Sequence, residues 1–263
     1  MKKLENKIAI VYGDGAVGST VAKAFAAEQA KVFFVGRTLS KLKAVANEII
    51  SNGGIVEIAE VDALDESAVN NHLDEVIRKA GRVDISFNAI GFRQKTFQSI
   101  PLTELSLEDF LLPVTIYSQS HFITSKAAAR QMMKQGGGVI LMHTPNASRL
   151  SPPFSGGLIP AWAAMEALCR SLSVECGEKG VRAVCLLTTA LPETPLIKEM
   201  LESRSKARGI TAEQFESIMA STTHRKKLTT LAELANAAVF VASDEASAIS
   251  GTIFNLTAGT IVY

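Results

Sequence analysis

The strongest constraint on this chain lies in residues 7–38, KIAIVYGDGAVGSTVAKAFAAEQAKVFFVGRT. A short apolar run, a glycine turn, a helical pattern and a second apolar run follow one another there without a break. Residues 7–12 carry Ile8, Ile10 and Val11 at strand length. Gly13-Asp14-Gly15-Ala16-Val17-Gly18 then spells G-x-G-x-x-G. Residues 19–29 place Val21, Ala22, Phe25 and Ala26 on one helical face, and residues 32–35 form the second apolar run. A glycine turn between a buried strand and a helix lets a phosphate approach the backbone. Free N–H groups and the positive end of the helix then face the anion. The motif alone is a weak signal, but a strand–turn–helix–strand setting makes it specific. The alternative is a plain β-α-β turn whose glycines serve only close packing.

Strand-like and helix-like segments alternate from there to the end, the pattern of an α/β fold with a doubly wound parallel sheet. Helices are expected over residues 39–52, 65–79, 107–135, 161–177 and 231–242. Strands are expected over 55–61, 83–88, 139–142, 181–187 and 253–256. Pro113 predicts a kink in the long helix. A loop rich in Pro, Ser and Gly spans 144–160. Residues 188–228 lack strand signals and hold two short amphipathic patterns, 196–204 and 212–220, as a helical cap over a site would. A single Rossmann-type domain over 1–263 with a seven-stranded parallel sheet is therefore expected, with that cap at about 188–228.

A 47% hydrophobic content is enough for a sizeable core. The net charge of +1 gives no global electrostatic case for a nucleic acid or membrane partner. No apolar stretch reaches the roughly 18 residues of a membrane span, and the N-terminus lacks the apolar run of a secretory signal. A cytoplasmic protein is the expectation. Cys169, Cys176 and Cys185 match no metal or redox spacing, so no metal is expected and core packing is their expected role.

Several segments together resemble the short-chain dehydrogenase/reductase family over essentially the full length. Besides the glycine turn, Val61-Asp62 is similar to the family's adenine-contacting Asp. Asn88-Ala89-Ile90-Gly91 is similar to its N-N-A-G segment. Residues 163–168 and 170–175 resemble its central helix, and Gly180-Val181-Arg182 its G-[IV]-R-V. LAELANAAVFVASD at 231–244 and Ser250-Gly251-Thr252 resemble its C-terminal signature. The resemblance implies an NAD(P)-dependent oxidoreductase. It also implies a homotetramer or homodimer built through the helices near 107–135 and 161–177, acting on a small-molecule substrate. The expected cofactor-binding residues are Gly13, Gly15, Val17, Gly18, Arg37, Thr38, Asp62, Asn88, Ala89 and Thr194. Thr194 is included because Glu193-Thr194-Pro195 resembles the segment that contacts the nicotinamide carboxamide.

In such folds a carboxylate at the end of the second strand grips the ribose hydroxyls of NAD, and a positive group accommodates the 2′-phosphate of NADP. No Asp or Glu lies between Glu28 and Glu48, whereas Arg37, Lys41 and Lys43 do. NADP is therefore expected over NAD, with Arg37 the main contact and Thr38 a hydroxyl donor. The alternative is a solvated Arg37 at a strand end. The first turn is one residue shorter than the family's T-G-x-x-x-G-x-G, and Tyr12 stands where a small hydroxyl residue is usual. Asp14 would repel a pyrophosphate if it pointed inward, and would be harmless in solvent.

The family's proton donor is a Tyr, assisted by a Lys four residues later, a Ser after the fifth strand and an Asn in the preceding helix. Alignment on residues 163–168 puts Leu158 at the Tyr position, Trp162 at the Lys position, Thr144 at or beside the Ser position and Thr115 at the Asn position. Between residues 139 and 178 there is no Tyr and no Lys, and the tyrosines of the chain are Tyr12, Tyr117 and Tyr263. Leucine donates no proton, and an indole N–H supplies none at neutral pH. Loss of general acid–base help is typically worth about 10²–10⁴-fold. Thr144 and His143 are the catalytic candidates that remain. As strand neighbours they point to opposite faces, and His143 hydrogen-bonded inside the fold is the alternative. Tyr117 is expected as a packed aromatic. Arg149 and Ser155 are candidates to meet a polar substrate, or else ordinary loop residues. Two functions stay open: an NADP(H)-dependent oxidoreductase with a non-standard active site, and a dinucleotide-binding sensor or partner subunit without hydride transfer.

Overall fold

Apolar runs flanked by glycine and charge become the strands of one sheet, and the amphipathic segments between them become its covering helices. The structure, a computed structural model, describes residues 2–91 and 100–262. The strands are β1 (Ile8–Tyr12), β2 (Lys31–Gly36), β3 (Ile55–Glu60), β4 (Ile85–Asn88), β5 (Gly138–Pro145), β6 (Val181–Thr188) and β7 (Thr252–Leu256). They pair in the order β3-β2-β1-β4-β5-β6-β7, every pair parallel. The order reverses between β1 and β4, so a crevice opens at the carboxyl ends of those two strands, where ligands bind in open α/β sheets.

The helices are α1 (Ala16–Ala27), α2 (Leu39–Ser51), α3 (Glu66–Ala80), α4 (Leu107–Gln135), α5 (Ala147–Leu150), α6 (Leu158–Cys176), α7 (Pro195–Ala207), α8 (Ala212–Ser221) and α9 (Leu231–Ala242). The period-2 alternation of the strands sorts them onto two faces. Val11, Phe34, Phe87, Leu141 and Leu186 pack with Phe25 of α1, Leu42 of α2 and Leu234 of α9. Ile10, Phe33, Ile140, Met142 and Cys185 pack with Val76 of α3, Met132 of α4 and Cys169 of α6. All three cysteines are buried and unbridged.

Local chemistry fixes the ends. Asp65 caps α3 by accepting from the Ala68 N–H, and Thr211 and Thr230 form capping boxes at α8 and α9. α7 and α8 fall where the two short amphipathic patterns lie and share a small core of Met200, Leu201 and Phe215. Pro113 is buried inside α4, which runs on as one helix of 29 residues. β5, whose beginning is expected at 139–142, runs on to Pro145, because its last residues pair with β6 through Thr188. α6 begins three residues earlier than the periodicity predicts, at Leu158, which belongs to a buried apolar cluster. Among the described residues, no helix is long and apolar enough to cross a membrane.

Candidate functional site

The glycine turn sits at the switch point. Gly13 takes φ +109°, a region closed to most side chains, and a Cβ there would lie 2.7 Å from the Ala89 carbonyl oxygen. A Cβ on Gly18 would lie 1.9 Å from the Gly13 carbonyl oxygen. These two glycines close the turn against β4 and against itself. Gly15 differs from both: it is exposed, and a Cβ there would meet nothing within 4 Å. Gly15 is the N-cap of α1 and no side chain caps that helix, so its first N–H groups are left for a ligand. Open space over an uncapped helix end is what a diphosphate requires, and the residues present fit one. The shortened turn has kept that room.

Around the turn, Asn88 holds the end of β4. Its Nδ2 donates to Thr124 Oγ1 at 2.8 Å and to the Ser120 carbonyl at 3.3 Å, while its Oδ1 accepts from the Ile90 N–H at 2.8 Å. This side chain thus fixes the path of Ala89, and its role is positional. Asp62 is exposed and accepts from the Leu64 N–H at 3.0 Å. Thr38 is the N-cap of α2 and its side chain makes no capping bond. Val17, in the first turn of α1, packs against the hydrophobic core on that face of the sheet. Arg37 is exposed, with no hydrogen bond or ion pair to a described residue. Thr194 stands before α7, its hydroxyl donating to the Leu191 carbonyl at 2.8 Å.

Asp14 points neither at the pyrophosphate position nor freely into solvent. Its Oδ2 accepts from the Thr38 N–H at 2.9 Å, and its side chain lies over Gly36. The absence of a carboxylate along the end of β2, which suggested NADP, is thus filled in space from the first turn.

The region expected to carry the proton donor is apolar. Leu158 is buried with Ala161, Met165 and Tyr117, and Trp162 packs against them. The Tyr117 and Trp162 rings meet edge-on with centroids 6.4 Å apart. A Cβ on Gly91 would lie 3.7 Å from the Tyr117 hydroxyl, which puts the phenol beside the carboxyl end of β4. Burial pushes the Tyr117 phenol up to about 12, against a smaller opposite effect of its hydrogen bond with Trp162. Thr115, expected at the relay position, is exposed, and it is Tyr117 that faces Trp162. Tyr12 is buried in the core, its phenol raised by desolvation, and Tyr263 lies outside the described residues.

His143 and Thr144 diverge as strand neighbours should. The Thr188 hydroxyl spends its single proton on the Thr189 carbonyl, so it accepts from His143 Nε2 at 2.9 Å and fixes the tautomer. Desolvation pushes the His143 imidazole down to about 4, and His121 adds to this. Thr144 is fully buried, 3.3 Å from Cys185 Sγ and 3.5 Å from Glu166 Oε1. Glu166 itself gathers the loop after β5. It accepts from Ser148 Oγ at 2.5 Å and from Arg149 Nε at 2.8 Å, with Arg149 Nη2 at 2.7 Å. Arg149 is therefore committed to Glu166 rather than presented to a substrate. Ser155 likewise donates to the Pro152 carbonyl at 2.8 Å. Glu166 escaped the sequence reading because a charged residue in a helix is usually solvated; the nearby loop arginine was the available signal.

The family model described as Enoyl-(Acyl carrier protein) reductase matches residues 13–260. The chain belongs to the short-chain dehydrogenase/reductase family. An uncharacterized oxidoreductase of Thermotoga maritima is 30% identical across 97% of this chain and 98% of its own length. The 7alpha-hydroxysteroid dehydrogenase of Escherichia coli K12 is 28% identical across 98% of this chain and 96% of its own. A solved 7 alpha-hydroxysteroid dehydrogenase, complexed with NADH and 7-oxo glycochenodeoxycholic acid, superposes with a TM-score of 0.86. It is 29% identical over 98% of this chain and 95% of that one. Short-chain dehydrogenases/reductases bind NAD(H) or NADP(H), and the cradle around Gly15 has the shape that such a dinucleotide needs.

Proposed function

We propose that the chain is a nicotinamide-dinucleotide-dependent oxidoreductase whose proton transfer does not use the family's tyrosine–lysine pair. The observation that carries this is the open backbone of Gly15 at the uncapped end of α1, closed on both sides by Gly13 and Gly18. When bound, the dinucleotide supplies or accepts hydride at its nicotinamide ring. The protein's own residues bind and orient it. Gly15 and the first amides of α1 hold the diphosphate, Asp62 and Thr38 border the adenosine end, and Asn88 keeps Ala89 in place beneath. Thr194, before α7, is assigned to the carboxamide. α7 and α8 form the cap over this side of the sheet.

At the nicotinamide end, Tyr117 brings a phenol beside Gly91, just past β4, and Trp162 and Leu158 pack around it. A phenol held up at about 12 is a poor acid near neutrality, so substrates whose reduction needs little protonation, such as conjugated alkenes, suit this site better than simple ketones. His143 and Thr144 are both spent on internal hydrogen bonds, which weighs against either as donor. The packed Tyr117–Leu158–Trp162 cluster also favours a second reading, a dinucleotide-binding protein without turnover.

Arg37 supports NADP by its charge, but an exposed guanidinium at a strand end is equally what NAD binding would leave in solvent. The steroid dehydrogenase relative was solved with NADH. A homodimer or homotetramer through α4 and α6 is proposed from the exposed Phe122 and the shallow apolar groove it lines with Ala164, Met165 and Leu168.

Thermal unfolding with and without dinucleotide tests the common base. At 100 times Kd, binding adds about 2.7 kcal/mol, a Tm rise of several degrees for a domain of this size. No rise with either NADH or NADPH at millimolar concentration removes both readings. If one binds, turnover of enones or ketones supports the oxidoreductase, and binding without turnover across both classes supports the second reading.

A further inference from the structure

The first turn places a fixed negative charge at the adenosine end of the cradle. Asp14 lies over Gly36: a Cβ at position 36 would stand 2.8 Å from the Asp14 Cβ and 3.0 Å from its Cγ. Only glycine at the end of β2 leaves room for that side chain. The Thr38 N–H then donates to Asp14 Oδ2 at 2.9 Å. Thr38 supplies no side-chain cap to α2, and the first turn of that helix has no acidic residue, so Asp14 is the anion at its amino end. Three independent features therefore hold one carboxylate in one place: the turn, the missing Cβ at 36 and the amide of Thr38. Oδ1 accepts from no described residue. The next residue along the chain is Gly15, over which the diphosphate path is open.

We propose that Asp14 makes this site select NAD(H) over NADP(H). This rests on the dinucleotide reading above and reverses the preference that Arg37 alone suggests. The carboxylate stands between the diphosphate turn and the end of β2, the interval that the adenosine ribose spans. Its free Oδ1 accepts a ribose hydroxyl, the role usually filled by a carboxylate at the end of the second strand. A 2′-phosphate placed there meets a like charge at close range in a partly desolvated setting. It also finds the Thr38 N–H, its natural donor, already taken. Arg37 is the opposing influence. It is exposed and held by no described partner, so it must lose side-chain freedom to bind phosphate, whereas Asp14 is already fixed.

Calorimetric titration of NADH and NADPH into the full chain at fixed ionic strength tests this. The variants are Asp14→Asn, which keeps an oxygen for the Thr38 amide but removes the charge, and Arg37→Ala. The wild type should bind NADH at least about tenfold more tightly than NADPH, and Asp14→Asn should shift that ratio about a hundredfold towards NADPH. Combined with Asp14→Asn, Arg37→Ala should abolish the NADPH gain. An Asp14→Ser variant repeats the comparison if the amide variant unfolds. A wild type that prefers NADPH, or a ratio unmoved in folded Asp14 variants, overturns the proposal while leaving dinucleotide binding intact. Absence of binding by either dinucleotide overturns the dinucleotide reading and this proposal with it.

Discussion

Glu166 shows how a single residue ties the loop after β5 to α6. Its side chain is 4% exposed, and Arg149 reaches it from the surface while Ser148 donates from beneath. Removing the guanidinium leaves a buried carboxylate with hydroxyl partners only. Arg149→Met should cost about 2–3 kcal/mol by urea unfolding, below the full cost of breaking a wholly buried pair because Arg149 is partly exposed. A loss under 0.5 kcal/mol would mean that the strap carries little. His121 and His143 contribute most visibly to the pH dependence, alongside His72, whose imidazole is also pushed down by burial. Burial holds the His121 and His143 imidazoles at about 4, against an ordinary 6.5. The unfolded chain binds protons that the folded chain refuses between those values. Their contribution is therefore complete above about pH 6.5 and is lost as pH falls towards 4, at about 1.4 kcal/mol per pH unit for each imidazole. His143→Gln should flatten the fall of Tm between pH 7 and pH 4.5; an unchanged slope would contradict the assignment. Asp14 belongs at this scale too. Its charge was legible in the sequence, but its direction was not, because nothing local says that a turn residue will lie over a glycine 22 positions away.

At the scale of elements, the contact of α4 with α6 decides what the site can do. The existence and length of α4 were legible from capping and periodicity, including Ser106 at its start and Gly136 at its end. Its phase was not. Successive residues turn by about 100° on a helix, so a two-residue offset between Thr115 and Tyr117 moves a side chain to the opposite face. The structure buries Tyr117 against Leu158 and Trp162 and leaves Thr115 exposed. Trp162→Ala should therefore cost about 2–4 kcal/mol through the cavity it leaves, while Thr115→Ala should stay within about 0.5 kcal/mol of wild type. Equal effects in chemical denaturation would place the α4 phase in doubt. The starts of β5 and α6 were legible to within a few residues. Their exact limits depend on pairing with β6 and burial against α4, which are long-range contacts invisible in a local window.

For the whole molecule, the alternation of runs announced a parallel doubly wound sheet, and seven parallel strands in one sheet are what the chain forms. The glycine turn itself was legible, since a Cβ on Gly18 would strike the Gly13 carbonyl within the same turn, whereas the contact that demands glycine at 13 comes from Ala89 across the sheet and was not. The packing around Leu158 was not readable, since that buried cluster draws on residues from 117 to 165 that only folding brings together. The exposed Phe122 beside α6 predicts self-association. Phe122→Glu should lower the mass measured by light scattering towards a 28.1 kDa monomer, and an unchanged oligomer would exclude this face. The chain's single tryptophan stands in the cluster itself, and reduced nicotinamide absorbs where indole emits. Titration of NADH followed by Trp162 emission therefore reports both whether the cradle binds and how near the nicotinamide end comes to the cluster. Saturable, nearly complete quenching with sensitised nicotinamide emission, absent in Gly18→Val, is the predicted result. No saturable quenching, or the same quenching in Gly18→Val, would contradict a dinucleotide held on this turn beside Trp162.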